Sequence, residues 1–279
     1  MAACSIASAL PAESLMRPLR ELPLQARRKV RFVLCDIDDT LTDGGRLTAR
    51  AYGALERLEA AGLTVVPVTG RPAGWCDLIA RLWPVAAVVG ENGAFYFAYD
   101  HKERHMTRCF WQTQRRHLED RGRLELLAAR IVSEVPGAAV AADQTFRETD
   151  LAIDCREDVA PLPDDAIARI VAIFEAAGAQ AKVSSIHVNG WFGDHDKLAM
   201  SLRLLTERFG VGPEAAREQV LFVGDSPNDA PMFAHFVHAV GVANVRDFVG
   251  RLVAEPAWVT EARGGAGFAE LAAALLEAR

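Results

Sequence analysis

Phe32-Val33-Leu34-Cys35-Asp36-Ile37-Asp38-Asp39-Thr40 is the stretch that decides the fold. Four apolar residues that end abruptly in acids read as a buried strand of a parallel sheet, because a strand covered on both faces is apolar throughout. Acids at its carboxyl end stand where open α/β sheets bind ligands. Alternation along an extended continuation puts Asp36 and Asp38 on one side and Asp39 on the other.

The same grammar repeats outward. Thr48 caps a helix whose apolar face is Ala51, Leu55 and Leu58 and which Gly62 stops. Leu63–Val68 reads as the next strand, followed by Thr69-Gly70-Arg71-Pro72 and a helix through Trp83. Val85–Val89 is a third strand, and Ala94–Phe97 turns back as a hairpin. A second set follows: a helix through Leu124, Leu127, Ile131 and Val135, strands at 139–142 and 151–155, a helix at 167–177 and a strand at 181–188. The first pattern then resumes, with a helix from Leu198 to Phe209, the strand Val220–Val223, a helix after Asp229, strands at 236–242 and 258–260, and a closing helix from Phe268. The order predicts an α/β protein with a doubly wound, Rossmann-like parallel sheet core and an inserted α/β cap. The expected division is an N-terminal extension (1–30), the first part of the core (31–98), the cap (99–189) and the second part of the core (190–279), with hinges near 98–101 and 188–194.

Asp225 and Asp229, in Gly224-Asp225-Ser226-Pro227-Asn228-Asp229, end another strand of the same sheet. Carboxylates converging on one cleft raise each other's pKa unless a cation sits among them. Oxygen donors without His or Cys select a hard ion such as Mg2+. A carboxylate beside Mg2+ suits attack on phosphorus. Thr69 can donate a hydroxyl to phosphoryl oxygens, and Lys197 supplies a point charge. Asp39 and Asp43 read as solvated turn residues.

These residues resemble the haloacid dehalogenase (HAD) superfamily. Its DxD-x-T motif stands at Asp36–Thr40, its strand-ending Thr at Thr69, its helix-opening Lys at Lys197 and its acidic motif at Gly224–Asp229. The resemblance implies Asp36 as nucleophile and metal ligand. It implies Asp38 as acid and then base, binding the metal through its carbonyl, and Asp225 as the other metal ligand with Asp229 and Asn228 in support. Asp at 38 sets the chain apart from dehalogenase and phosphonatase relatives. An insertion after Glu91-Asn92-Gly93-Ala94 resembles subfamily IIB, which includes sucrose-phosphate, trehalose-phosphate and mannosyl-3-phosphoglycerate phosphatases and phosphomannomutases of the eukaryotic type. The implied activity is hydrolysis of a sugar phosphate or similar small metabolite. A phosphomutase and a non-catalytic phosphate-binding protein are the alternatives.

Gly70, Arg71 and Asn92 are candidate phosphate or substrate contacts by the same resemblance. The cap-to-core return offers His187, Asn189 and Trp191, an aromatic face and polar groups that a sugar could use; packing at the hinge is the competing reading for Trp191, and a satisfied strand position for His187. Gln144 and Arg147 in a cap loop are weaker candidates.

Composition closes other routes. No apolar run approaches the roughly 20 residues that cross a bilayer. The net charge is −6, and Met1–Arg31 carries six basic residues against Glu13 and Glu21, which leaves −10 on the remainder. A surface extension is expected there, with Met16 an alternative start. Six Arg between Arg104 and Arg123 are read as a solvated cap helix and loop, because the acidic chain shows no nucleic-acid motif. The five cysteines are scattered without CxxC pairs or zinc spacing, so reduced thiols in a cytoplasmic protein are expected, with Cys35 a core residue.

Overall fold

The computed structural model describes residues 16–184 and 186–279. Six parallel strands form the central sheet in the order Arg17–Pro18, Trp258–Val259, His238–Gly241, Val220–Gly224, Phe32–Cys35, Thr64–Pro67. Every residue of Phe32–Cys35 and Val220–Gly224 is buried, as expected of strands with helices on both sides. Two apolar layers cover the sheet. One gathers Val33, Cys35, Leu55, Leu58 and Phe268, and the other Leu34, Val66, Met200, Leu204 and Phe222.

Beyond Thr64–Pro67 the sheet continues through a single parallel bridge, Val68 to Val89. Thr64 and Val68 donate to Arg31 and Cys35 on one side, and Thr69 donates to Val89 on the other. By that alternation Pro67, which has no N–H, faces the Val88–Gly90 side and thins the ladder there. Val88–Gly90 pairs antiparallel with Phe95–Asp100, which pairs along its whole length with His105–Phe110.

Three stretches differ from their sequence reading. Residues 17–30, expected as a surface extension, add an edge strand and bury Leu19, Leu22 and Val30 in the core; residues 1–15 lie outside the described residues. The start of the arginine-rich stretch is the strand His105–Phe110 rather than cap loop, and its remainder opens the helix Gln114–Glu134. The single strand read at 181–188 is a hairpin of Gln180–Val183 and His187–Trp191. The Ser184 hydroxyl accepts the His187 N–H and closes this turn without Gly or Pro to announce it.

The cap is a four-stranded antiparallel sheet, ordered Gln180–Val183, His187–Trp191, Leu151–Asp154, Ala139–Val140. The helices Gln114–Glu134 and Asp164–Ala176 pack on it through Leu124, Leu127, Ile131, Ile170 and Phe174.

Candidate active site

The ladder between the two innermost strands runs one residue past Cys35, with the Asp36 N–H donating to Val223 O at 2.9 Å. This sets Asp36 beside Asp225, which continues the neighbouring strand. The chain then turns tightly, as Thr40, Leu41 and Thr42 all donate to Ile37 O. Asp39 takes up the turn at φ 58°, a left-handed conformation that a short polar side chain tolerates better than most.

Carboxylate oxygens of Asp36, Asp225 and Asp229 lie within 4.8 Å of one another, all buried. Lys197, the first residue of the helix Lys197–Phe209, inserts its ammonium between two of them, 2.7 Å from Asp36 Oδ1 and 2.9 Å from Asp229 Oδ1. Asp229 is then fully engaged, since its Oδ2 accepts from the Asp225 and Ser226 N–H groups. Asp225 Oδ1 accepts from the Thr40 hydroxyl, a contact not foreseen from the sequence. Burial pushes Asp36 up to about 8, with Lys197 opposing and Asp229 and Asp38 adding to the rise. Burial, and then Asp36 and Asp229, also raise Asp225 well above the carboxylate range. Burial disfavours the charge on Lys197, yet Asp229 and Asp36 more than offset it and raise the ammonium above its ordinary value. One ammonium thus answers three buried carboxyls, a balance that favours an added hard cation. Asp36 and Asp225 are the better ligands, because Asp229 has no free oxygen. The Asp38 side chain is not in this cluster.

Gly93 fixes where Lys197 starts. Its φ of 102° carries the turn Glu91–Gly93 against the head of the Lys197 helix, where a Cβ would strike the Asp196 carbonyl. Asp196 caps that helix by accepting from the Ala199 N–H at 2.7 Å.

Asp36, Asp38, Gly70, Arg71, His187, Asn189 and Asn228 line one small cleft of about 20 Å³. Arg71 grips both Asp38 oxygens and reaches Glu157 of the cap at 2.9 Å. His187 Nε2 lies 3.0 Å from Glu157 Oε2, off the line of a good hydrogen bond. Together His187 and Arg71 hold the Glu157 carboxyl down to about 2, against its partial burial. Thr69 stands behind the cleft, its hydroxyl accepting from the Arg71 N–H. Asn92 sits on a left-handed backbone with a buried Nδ2 that has no partner. Trp191 is buried and stacked on His195, and edges a separate space of about 160 Å³ with Lys197, Asn92 and Asn228.

A second polar knot ties cap to core. Glu91, wholly buried, accepts from Ala73 N at the head of the Ala73–Leu82 helix and from Glu148, Thr149 and Asp150 N of the cap. Arg147 donates to Gly70 O at 2.9 Å and pairs with Asp143 and Asp150, and Asn189 donates to Asp150. Among the described residues the Gln144 side chain bonds only cap backbone, at Asp150 and Ala152. In the sequence Glu91 is marked only by standing directly after an apolar strand, and Asp143 and Glu157 carry no signal at all.

The family model for haloacid dehalogenase-like hydrolases matches residues 30–236. No curated protein matches the chain by sequence. Among solved structures, a Thermoplasma acidophilum protein is similar at a TM-score of 0.68 and 19% identity, covering 90% of this chain and 99% of its own. The C-terminal domain of C. albicans trehalose-6-phosphate phosphatase aligns at 0.68 and 14% identity, over 94% and 98%. A HAD subclass IIB sugar phosphatase aligns at 0.56 and 15%, over 83% and 93%. At these identities the likeness speaks for the fold. Among the described residues no helix is long and apolar enough to cross a membrane.

Proposed function

The chain belongs to the haloacid dehalogenase-like hydrolases, and from that premise we propose that it is a Mg2+-dependent phosphomonoester hydrolase working through an aspartyl-phosphate at Asp36. The observation that carries this reading is the buried Asp36 carboxyl, held by Lys197 at one oxygen beside Asp225 and Asp229. Among the described residues Lys197 is the hydrogen-bond partner of Oδ1, and Oδ2 is left to attack. Asp36 and Asp225 would hold the Mg2+, which when bound draws in the phosphate dianion and neutralises charge developing on it.

The chain's own groups then divide the work. An Asp36 oxygen attacks phosphorus as the ester P–O bond breaks, and the electron pair leaves on the alcohol oxygen, which takes a proton from Asp38. Asp38, now a carboxylate, removes a proton from the water that attacks the phosphoryl group, releasing phosphate and restoring Asp36. Lys197 fixes Asp36, and the Asn92 amide, a buried donor without a partner, suits a phosphoryl oxygen. Both Asp38 oxygens accept from Arg71, so acid catalysis requires one of these bonds to be released. Phosphoryl oxygens compete for the same guanidinium and supply the trigger.

The cap closes the cleft from above through Ser184, His187 and Asn189, which supports a small substrate admitted when the cap lifts. We place the first hinge not at the expected 98–101, which lies in the hairpin of Phe95–Asp100 and His105–Phe110, but where His105–Phe110 gives way to the Gln114–Glu134 helix, and the second where His187–Trp191 returns to the core. A panel of phosphorylated metabolites with Mg2+ tests the reading. Turnover by the wild type and its loss in Asp36→Asn are expected; equal turnover by the variant would rule the covalent route out.

A further inference from the structure

Asp38 borders two spaces, and they differ in kind. The polar cleft it shares with Asp36 holds about 20 Å³, room for little more than a water. Asp38 also lines a cavity of about 340 Å³, within the range of small-molecule sites. Core and cap build it jointly. Trp75 and Leu78 come from the Ala73–Leu82 helix, Trp83 from its end, Leu47 from the hairpin after the catalytic turn, and Phe146 from the cap. Phe146 reaches this place because residue 74 is glycine, where a Cβ would meet the Phe146 side chain at 3.0–3.3 Å.

Three of these side chains are large, apolar and open to water in the free protein: Trp75 is 43% exposed, Leu78 52% and Phe146 56%. Apolar surface gathered around a cavity marks a binding site. The polar groups on its wall are already engaged. Arg71 holds Asp38 and lies over the Trp75 ring at 4.4 Å, and the Thr42 hydroxyl bonds Ile37 O and the Asp39 N–H. A hexose seated here would bury several hydroxyls against hydrocarbon, each weakening binding about tenfold or more.

The proton donor must touch the leaving oxygen, so the alcohol extends from phosphorus on the side of Asp38. We propose that this cavity is the leaving-group subsite and that the substrate is a phosphomonoester of an alcohol with an apolar, ring-sized body. The inference rests on the phosphatase reading and on Asp38 as the acid. The Trp191-edged space beside Lys197 does not reach Asp38 and cannot take the leaving group.

Benzyl phosphate and glucose 6-phosphate, both esters of primary alcohols, test this with the full chain and Mg2+. The wild type should prefer benzyl phosphate by at least about tenfold in kcat/KM, and both Trp75→Ala and Leu78→Ser should cut that preference about tenfold. Preference for the hexose phosphate, or a ratio unmoved in both variants, overturns the proposal and leaves the phosphatase reading intact. If the wild type hydrolyses neither ester, binding of benzylphosphonate decides the cavity, and the metabolite panel separately decides the phosphatase reading. Quenching of tryptophan fluorescence that is lost in Trp75→Phe supports the subsite, and equal or absent quenching in the two proteins overturns it.

Discussion

Arg71 closes on Asp38 with Nη2 at 2.8 Å and Nε at 3.1 Å, and the same Nη2 reaches Glu157 of the cap at 2.9 Å. One planar guanidinium therefore joins the Asp38 carboxylate to the cap. A lysine cannot, since a single ammonium lacks the fork. Arg71→Lys should lower kcat/KM about 10–100-fold, or about 1.4–2.7 kcal/mol of transition-state stabilisation. Steady-state kinetics checks this; a change under threefold would show that the fork is dispensable.

Lys197 is placed to matter twice. Replacing it by Met leaves Asp36 and Asp229 facing one another in a buried site. Activity should fall on the order of a thousandfold. Stability should fall by about 3–5 kcal/mol at pH 8 and by less at pH 5, where the raised Asp36 carboxyl holds its proton. Urea denaturation at the two pH values measures the difference, and an equal loss at both would contradict the charge argument.

The Asp36 carboxyl, raised from 3.8 to about 8, sets a sign for pH. With no cation bound, the folded state holds a proton there that the unfolded state has lost. Stability from this group is complete below about pH 4, falls as pH rises, and levels off above about 8. A cation must displace the same proton, so Mg2+ affinity should strengthen about tenfold per pH unit up to about 8. Calorimetry between pH 6 and 8 should show affinity rising and protons released; a flat profile would mean Asp36 is already ionised.

Glu91 is a buried joint between cap and core. Both of its oxygens accept from N–H groups, so in Glu91→Gln the amide nitrogen must face donors whichever way it turns. A loss of about 2–4 kcal/mol is expected, with faster amide exchange at Glu148, Thr149 and Asp150. Unchanged exchange at those three amides would show that the joint is held elsewhere.

The central sheet could be read from the sequence because buried parallel strands are apolar runs ending in acids, as at Phe32–Asp36 and Val220–Asp225. The same runs end at the candidate residues Asp36, Asp38 and Asp225, whereas Lys197, at the head of a helix, was marked by the resemblance to the family's motifs. What escaped was tertiary. His105–Phe110 is an edge strand carrying Arg and His, without the alternation that marks a half-buried one. The Ser184 turn is made by a hydroxyl. Glu157, Asp143 and Phe146 meet the site across the cap–core seam, and no local pattern records a contact made between distant segments.

Trapping decides whether Asp36 carries the phosphoryl group. Acid quenching during turnover of a radiolabelled phosphomonoester with Mg2+, followed by peptide mapping, should find a hydroxylamine-labile phosphate on Asp36. Asp38→Asn should accumulate it where the leaving group needs no proton. Full turnover with no label on Asp36, or label on another residue, would show that Asp36 is not the phosphoryl carrier.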